Sequence, residues 1–382
     1  MLASARAKCR LSCDNSDERK PMRVLLVINS LILAGAESLT KELALNFHGR
    51  GIEVAVYVLK PLAISFEGEL RQAGVTIHTL AGAEIYSPRH IAALAARMEG
   101  MDVVHSVLFP ASLWVAMAAG KLARKPALIT SEGATHNRRR AFPGGRMLDR
   151  WIYKRYQAFA CDSTAIRDSL SEWLPQVAPR ASVIPNPVTL ERFQQAAAAE
   201  RRALVGDSPG PIVMFTARFE SAKDHPTLLR AMALVPEAHL LLAGDGPLRS
   251  RMESLARELG LTERVHFLGT RADIPALLKA ADVYVQSSNF EGFGIAALEA
   301  MAAGLPVIAS DVPGLRELVG GAGLLFPRGD HAALGRHLQS LIDSPQLRAQ
   351  IAENCRRRAQ EFSLERTADA YLALYDSLLK RA

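Results

Sequence analysis

Short apolar runs alternate with longer segments of helical periodicity along most of the chain, starting at Met22. The runs are rich in Val, Ile and Leu, as expected of strands that are buried on both faces. Strands that alternate with helices in this way are typical of parallel sheets covered by helices on both sides, an α/β fold. The predicted strands span 23–28, 53–59, 75–79, 102–107, 126–131, 157–161, 181–184, 212–216, 238–243, 264–268, 282–286, 306–309 and 323–326.

The longer segments predict helices because their apolar residues recur at intervals of three and four. Their pattern continues past the last strand, so the chain is expected to end in helices rather than in a sheet. The clearest predicted helices span 37–50, 112–121, 226–234, 247–259, 273–279, 294–303, 314–319, 330–342, 346–361 and 364–380.

The strands fall into two series. The first series ends at Pro185-Asn186-Pro187, a strong stop signal, and an Ala- and Arg-rich stretch at 191–210 reads as a linker. Two series predict two doubly wound, Rossmann-like domains, at 22–190 and 211–362. In such domains ligands bind at the carboxyl ends of the strands, which places the site in a central cleft between the two domains.

The composition agrees with this architecture. The 382 residues are enough for about two domains, and 49% of them are hydrophobic. No apolar run approaches the roughly 20 residues needed to span a bilayer. The four cysteines lack metal-binding spacing and suit a reducing cytosol, which predicts a cytoplasmic protein. Residues 1–21 are polar and are predicted to be a disordered extension.

The positive charge is concentrated in one segment. Ten Lys and Arg residues lie between Lys121 and Arg155, against only Glu132 and Asp149. Such a cluster favours an anionic partner, which can be a membrane surface, a phospholipid-linked substrate or a nucleic acid. A solvated basic face is the alternative. The aromatic residues that base stacking needs are sparse in this segment, so we expect no nucleic-acid partner.

Two carboxylates flank a glycine turn at the end of the strand at 282–286. Glu291 precedes the sequence Gly-Phe-Gly, and Glu299 lies on the second turn of the helix that follows. A strand, a glycine turn and a helix together aim free N–H groups at an anionic ligand. The two acids point to hydroxyl groups, so a phosphate joined to sugars, as in a nucleotide sugar, fits the pattern. Glu299 is surrounded by small apolar residues, and a buried carboxylate needs a partner.

Other candidate residues follow other strands. Arg218 and Lys223 come after 212–216, where two cations can neutralise a diphosphate. Two further turns have glycines or small residues that let a ligand approach the backbone closely. These turns contain Gly35, Ala36, Gly244 and Gly246.

Three titratable residues are predicted at the carboxyl edge of the first sheet. His105 follows the strand 102–104, and both Glu132 and His136 follow 127–131. Acid–base groups at such an edge are candidates for catalysis. Each of them can equally be a hydrogen-bonding loop residue.

These residues together resemble the retaining nucleotide-sugar glycosyltransferases of family 4, which have the GT-B fold. The resemblance spans 22–382, and its most specific part is the motif that contains Glu291 and Glu299. The matching motifs are Leu33-Ala-Gly-Ala-Glu37, Arg218, Lys223-Asp-His-x-Thr-Leu-Leu, Gly244-Asp-Gly-Pro247, Phe267-Leu-Gly269, Glu291-Gly-Phe-Gly-x4-Glu299-Ala-Met-Ala-x-Gly304-x-Pro306-Val-Ile-Ala-Ser310, Gly314 and Glu317-Leu318.

The resemblance implies a role for each donor-side residue. Glu299 would hold the ribose hydroxyls, and Glu291 would hold hydroxyls of the donor sugar. Arg218 and Lys223 would stabilise the leaving diphosphate. The backbone of Phe293, Gly294 and Ile295 would contact the sugar or the phosphate. The first domain would bind the acceptor and the second the donor, and the last helix, 363–382, would cross back onto the first domain.

The resemblance also implies a mechanism without a bound metal. Retention in this family is explained by front-face attack, in which the leaving phosphate helps to take the proton of the acceptor. No Asp-x-Asp sequence occurs in the chain, so a metal clamp is not indicated and we expect no essential metal or tightly bound cofactor. Many members carry a His beside the donor sugar, and here either Glu132 or His136 occupies that position.

The sequence therefore predicts a retaining hexosyltransferase that moves a sugar from a nucleoside-diphosphate sugar to a glycan or lipid-linked acceptor. The basic segment favours a peripheral position on the inner face of an anionic membrane and an acceptor from surface-polysaccharide or glycolipid synthesis. A nucleotide-sugar epimerase of the same fold and a non-catalytic nucleotide-sugar binding protein are the alternatives.

Overall fold

A computed structural model describes residues 21–32, 35–63, 65–135, 137–208 and 210–381. Within these residues the first half of the chain forms a seven-stranded parallel sheet in the order β3-β2-β1-β4-β5-β6-β7. Its strands are β1 (Arg23–Ile28), β2 (Glu53–Val58), β3 (Thr76–Thr79), β4 (Val103–Val107), β5 (Ala127–Glu132), β6 (Ala158–Cys161) and β7 (Ala181–Val183).

The second half forms a six-stranded parallel sheet in the order β10-β9-β8-β11-β12-β13. Its strands are β8 (Ile212–Thr216), β9 (His239–Ala243), β10 (Val265–Gly269), β11 (Val283–Gln286), β12 (Val307–Ser310) and β13 (Leu324–Phe326). Every predicted strand is present, with both ends within one residue of the prediction. The predicted α/β fold with two doubly wound sheets is confirmed.

Helices cover both faces of each sheet, because each strand is apolar on both sides and needs cover on both. Separate apolar cores lie on the two faces of the first sheet and on the two faces of the second. The helices are α1 (Gly35–Gly49), α2 (Glu67–Gln72), α3 (Arg89–Met98), α4 (Ala111–Ala119), α5 (Gly145–Tyr153), α6 (Thr164–Trp173), α7 (Leu190–Gln194), α8 (Arg201–Val205), α9 (His225–Met232), α10 (Arg249–Glu258), α11 (Ile274–Ala280), α12 (Ile295–Ala302), α13 (Pro313–Val319), α14 (His331–Asp343), α15 (Pro345–Ala359) and α16 (Leu364–Leu379).

The last helix, α16, returns to the first sheet, as predicted. Its Tyr371 and Tyr375 are fully buried in the core that also contains residues of α1 and β5. The two hydroxyls reach polar side chains of the sheet: Tyr375 pairs with His105 Nδ1 at 2.7 Å, and Tyr371 with Ser131 Oγ at 3.1 Å. Buried tyrosines with satisfied hydroxyls fix the position of α16 as well as its burial.

The stretch 191–210, predicted as a linker, is folded against the second sheet. Phe193 of α7 and Val205 of α8 are buried in the core of that sheet. Arg201 donates hydrogen bonds to the carbonyl of Ala280 at 3.0 Å and to Asp282 at 2.9 Å. The Ala- and Arg-rich composition of this stretch gave no sign that its two large apolar residues are buried. We therefore propose that the second domain begins near residue 188 rather than at 211.

Two predicted features lie outside the described residues: the extension at 1–21, apart from Pro21, and His136. Across the part of the chain that is described, no helix is both long and apolar enough to cross a membrane.

Candidate active site

The candidate site lies where the order of strands reverses in the second sheet. Strands β8 and β11 are neighbours there, and the connections that follow them leave in opposite directions. Their two loops are joined, because the amide of Asp224 donates to the carbonyl of Ser287 at 3.0 Å and Ser287 Oγ donates to the carbonyl of Asp224 at 2.9 Å. Such a switch point is where open α/β sheets bind ligands.

Lys223 and Glu291 form an ion pair at this point. Their side chains are only 21% and 16% exposed. The same oxygen of Glu291, Oε2, accepts hydrogen bonds from Gln286 Nε2 at 3.2 Å and from Ser288 Oγ at 3.3 Å. Among the described residues no partner is found for the other oxygen, Oε1. The carboxylate is therefore fixed on one side and free to accept a hydroxyl on the other.

Gln286 was not predicted as a site residue, although it orients Glu291. The hydroxyl of Tyr284 donates to Gln286 Oε1 at 2.9 Å, which turns the amide so that its Nε2 faces Glu291. Both side chains are fully buried. A polar residue in an apolar strand was the available signal, because a buried amide requires partners.

Glu299 lies on the second turn of α12 and stands apart from this network. It has no hydrogen-bond or ion-pair partner in the described part of the chain, and it is partly exposed. Burial raises the pKa of Glu299 to about 7, while the charge of Arg192 on α7 acts in the opposite direction. A carboxylate without a partner inside the protein is suited to accept hydrogen bonds from a ligand.

The N-terminus of α1 in the first half of the chain contacts the N-terminus of α12 in the second half. Gly294 precedes α12 with φ 105°, and a Cβ at this position would lie 2.7 Å from Leu315 Cδ2. A Cβ on Gly35, the first residue of α1, would lie 2.7 Å from Ile295 Cδ1. The N-termini of the two helices, with Ala36 in the first turn of α1, therefore meet across the cleft. The free N–H groups at a helix N-terminus favour an anion.

Phe293, by contrast, is a packing residue. Its side chain is buried and meets Phe362 edge to face, with the ring centroids 5.5 Å apart. Only its backbone is left for a ligand, and the backbone role that the resemblance implies stays a prediction.

Gly244 and Gly246 contact another loop of the protein. Their φ angles are 139° and 156°, and added Cβ atoms would lie 2.0 Å from the carbonyl oxygen of Ala217 and 2.7 Å from that of Phe219. These glycines therefore allow the loop after β9 to approach the loop after β8 closely, as the fold requires. These glycines shape the loop that carries Arg218. The exposed side chain of Arg218 pairs with Glu220 at 2.6 Å and is not brought to Glu291.

Glu132 ends β5 on the other side of the cleft. Its carboxylate accepts a hydrogen bond from the hydroxyl of Tyr153, which accepts one from Arg139 at 3.1 Å. Burial raises the pKa of Glu132. The next residue, Gly133, is so close to the loop that carries Glu291 that a Cβ on Gly292 would lie 2.8 Å from the carbonyl oxygen of Gly133. Glu132 and Glu291 are thus each next to one of two touching glycines.

Asp162 is a second acid at this edge that the sequence analysis missed. It follows β6, is buried, and accepts a hydrogen bond from Asn186 at 2.8 Å. Burial raises the pKa of Asp162 to about 7. Its place directly after the apolar strand Ala158–Cys161 was the available signal.

His105 does not reach the cleft. It lies in the middle of β4 rather than after it, and it is buried under α16. Its two ring nitrogens bond to Tyr375 and Ser131, both at 2.7 Å, and burial lowers the pKa of His105 to about 3. A neutral imidazole with both nitrogens occupied holds α16 to the sheet. His105 is therefore placed in the fold and not with the acceptor-side residues.

Further contacts between the two halves hold the loop that carries Glu291. Ser163 Oγ donates to the carbonyl of Gly292 at 2.6 Å. The amide and hydroxyl of Thr164 donate to the carboxylate of Glu317 at 3.0 and 3.2 Å. Glu317 thus places a negative charge at the N-terminus of α6, where it interacts favourably with the helix dipole.

We expect Glu317→Ala to weaken closure of the two halves by about fivefold, because a charged group at a helix N-terminus contributes about 1 kcal/mol. Small-angle X-ray scattering should show a larger radius of gyration than for the native protein. Glu365→Ala, which removes an exposed acid from the first turn of α16, is the control and should scatter like the native protein. An unchanged radius in Glu317→Ala would contradict the prediction.

Within the described residues, no group of three or more His, Cys, Asp and Glu side chains is arranged to hold a metal ion. The site as described is made of the ion pair at Glu291, the unpaired Glu299, and two helix N-termini. Such an arrangement can hold an anionic group flanked by hydroxyls.

Two family models match nearly the whole chain. Glycosyltransferase Family 4 matches residues 33–192, and Glycosyl transferases group 1 matches residues 197–358. The first covers most of the first sheet and the second covers the second sheet with Glu291 and Glu299.

Similar proteins bear related names. The lipopolysaccharide core biosynthesis glycosyltransferase LpsE of Rhizobium meliloti (strain 1021) is 35% identical over 183 residues, which are 47% of this chain and 54% of LpsE. The 2-deoxystreptamine glucosyltransferase of Streptomyces kanamyceticus is 31% identical over 245 residues, 61% of this chain and 63% of that enzyme. The chain spans about half the length of the curated relatives it matches.

The fold agrees with solved structures. The crystal structure of HepE from Anabaena in complex with UDP has a TM-score of 0.80 and 22% identity, over 93% of this chain and 100% of HepE. With the family models on both halves and this fold, the chain belongs to glycosyltransferase family 4, group 1, and has the GT-B fold.

Proposed function

We propose that this protein is a retaining glycosyltransferase that uses a nucleoside-diphosphate sugar, with UDP or GDP as the nucleotide. One observation carries the proposal: the site holds two carboxylates in different states. Glu291 is fixed by Lys223, whereas Glu299 has no partner in the described part of the chain, and two helix N-termini lie beside them. HepE, which shares the fold, has been crystallised with UDP, with UDP and glucose, and with UDP-glucose.

In this proposal each group binds one part of the donor. Glu299 accepts hydrogen bonds from the ribose hydroxyls, and Oε1 of Glu291 accepts them from the sugar. The diphosphate lies at the N-termini of α1 and α12, where Lys223 is close and Arg218 can swing in from the surface. Fixed positive groups at this place stabilise the charge that the diphosphate gains in the transition state.

The donor and the acceptor supply every group that the transfer needs. The bond between the anomeric carbon and the phosphate oxygen breaks, and its electron pair stays on the diphosphate. A hydroxyl oxygen of the acceptor attacks from the same face and forms the new glycosidic bond. Its proton goes to the leaving phosphate oxygen. Because the attack comes from the face that the phosphate leaves, the configuration of the anomeric carbon is retained. We expect no essential metal for this step.

The acceptor binds on the side of the first sheet. Glu132, held by Tyr153, lies at the strand end next to the loop that carries Glu291, and Glu132 or His136 contacts the transferred sugar. LpsE is named for lipopolysaccharide core synthesis, which supports a glycan or lipid-linked acceptor from surface-polysaccharide synthesis. A cytoplasmic protein on the inner face of the membrane suits such an acceptor.

A panel of UDP-, GDP- and ADP-sugars, assayed for diphosphate release with and without EDTA, tests the proposal. We expect one sugar nucleotide to be hydrolysed slowly, with release faster when acceptor glycans are added and insensitive to EDTA. Proton NMR of the product should show the anomeric configuration of the donor. An epimerised donor would instead identify an epimerase, and binding without release would identify a non-catalytic binding protein.

A further inference from the structure

The surface of α5 and the turn before it exposes large apolar side chains. Four such residues lie within ten positions, with 39 to 75% of each residue exposed. The five other exposed large hydrophobic residues in the described part of the chain are scattered singly along it. The four residues, which we call the α5 apolar surface, are Phe142, Met147, Leu148 and Trp151.

This exposure is not needed to pack the helix. The opposite side of α5 already anchors it, through Asp149, Ile152 and Tyr153, which are buried. Asp149 accepts hydrogen bonds from Arg139 and from Trp173, both at 3.0 Å. A contiguous apolar surface on a folded protein usually marks an interaction site, whereas single exposed residues need no explanation.

Basic side chains surround the α5 apolar surface. Arg146, Arg150 and Lys154 are exposed, and the guanidinium of Arg155 stacks on Trp151 with its carbon 3.8 Å from the ring centroid. Between 138 and 155, Asp149 is the single acid, and it is buried in its pair with Arg139. The surroundings of the α5 apolar surface are therefore positively charged, and no exposed acid between 138 and 155 offsets this charge. Apolar residues within a basic rim complement the headgroups of an anionic bilayer.

An open pocket lies directly beside the α5 apolar surface. It has a volume of about 360 Å³ and is lined by Phe109, Phe142, Leu148 and Arg139 among others. Arg139 also donates to the hydroxyl of Tyr153, which in turn donates to Glu132. The helix that presents apolar residues to the outside thus supports, on its other side, an acid at the edge of the cleft.

We propose that the α5 apolar surface inserts into the headgroup region of a bilayer that contains anionic phospholipid, with the basic rim on the lipid phosphates. The helix then lies in the plane of the interface and does not span it. The proposal deepens the proposed function, on which it rests for the acceptor: a lipid-linked acceptor would reach Glu132 from the membrane along one helix.

Sedimentation with vesicles tests the charge part of this proposal. We expect binding to phosphatidylcholine vesicles only when phosphatidylglycerol is mixed in, and weaker binding at high salt. Arg146→Gln/Arg150→Gln should weaken binding by about thirtyfold, since each basic residue near an anionic surface contributes about fivefold. Arg251→Gln/Arg257→Gln, at two exposed positions of α10, removes the same charge and should leave binding unchanged.

Insertion is tested by the apolar pair. Phe142→Ser/Met147→Ser should weaken vesicle binding by at least about tenfold, because both side chains lose their burial in the interface. Tyr86→Ser, which removes another highly exposed aromatic residue, is the control and should bind normally. Fluorescence of the exposed Trp151 should shift to the blue with vesicles and be quenched by brominated lipid.

Failure of this proposal can be told from failure of the proposed function. If vesicles bind as expected and no sugar nucleotide is hydrolysed, the docking surface stands without the transferase. If slow donor hydrolysis is found and vesicle binding is absent, or is equal in all variants, the docking surface is wrong. A concentration-dependent dimer that is lost in Phe142→Ser/Met147→Ser, without vesicle binding, would assign the face to a second copy of the chain and overturn the proposal.

Discussion

Replacing Glu299 by Gln should make the protein more stable and, at the same time, a poor binder of its nucleotide. The carboxylate has no partner in the described part of the chain, and burial raises its pKa to about 7 from 4.5. Gln removes a charge that is largely, though not fully, buried, so we expect the free energy of unfolding without nucleotide to rise by about 2 kcal/mol near pH 8. We expect the affinity for UDP to fall about 100-fold, because hydrogen bonds from the ribose to a charged acceptor are lost.

The pH dependence of this gain has a definite sign. A carboxyl group with a raised pKa in the folded state binds a proton that the unfolded state releases, so the native protein loses stability as the pH rises from about 4.5 to about 7. The gain from Glu299→Gln should therefore be absent near pH 4.5, grow up to pH 7 and stay constant above it.

Urea unfolding across this pH range, with isothermal titration of UDP, checks both parts. Glu258→Gln, an exposed glutamate at the end of α10, is the matched control and should change neither quantity. A Glu299→Gln variant that binds UDP normally would remove Glu299 from the nucleotide site.

Replacing Glu291 by Gln should lower the rate of transfer and leave the binding of UDP nearly unchanged. We expect kcat for transfer to fall about 100- to 1000-fold, as when one preorganised polar group is removed from an active site. UDP affinity should stay within about threefold of the native value, because UDP lacks the sugar that Glu291 contacts. Steady-state kinetics with the best donor, together with UDP titration, separates this residue from Glu299.

Lys223 provides an internal check. Lys223→Met and Glu291→Gln should not be additive, since the two groups form one ion pair and each orients the other. If the double variant loses as much activity as the product of the two single losses, the pair does not act as a unit, and the donor-side arrangement proposed here is wrong.

The sequence was a sound guide to the fold because buried parallel strands leave a strong signal. Runs such as Val24–Val27 are apolar on both faces, and only a sheet covered on both sides accommodates them. The stretch with Phe193 and Val205 was predicted as a linker because its signal is weak. Two isolated apolar residues carry no periodicity, and only the structure shows that they are buried.

Site residues were predictable where the residue type itself indicates the chemistry. They were less predictable where function depends on how a side chain is oriented. Glu291 and Glu299 stand out beside a glycine turn. Gln286 does not, because its importance comes from the hydroxyl of Tyr284 that turns its amide. His105 shows the opposite error: a strand-end position was inferred for a residue that lies inside the strand, where it satisfies two hydroxyls and not a ligand.

The ion pair between Lys223 and Glu291 has a consequence for selectivity. A cell contains abundant simple anions, and an unpaired lysine at two helix N-termini would attract them. Here the cation already has a carboxylate partner within the protein, so a small anion gains little by displacing it. A ligand that brings negative charge for Lys223 and a hydroxyl for Glu291 satisfies both groups together. The ion pair thus favours a ligand that joins the two groups over a small anion that brings negative charge alone.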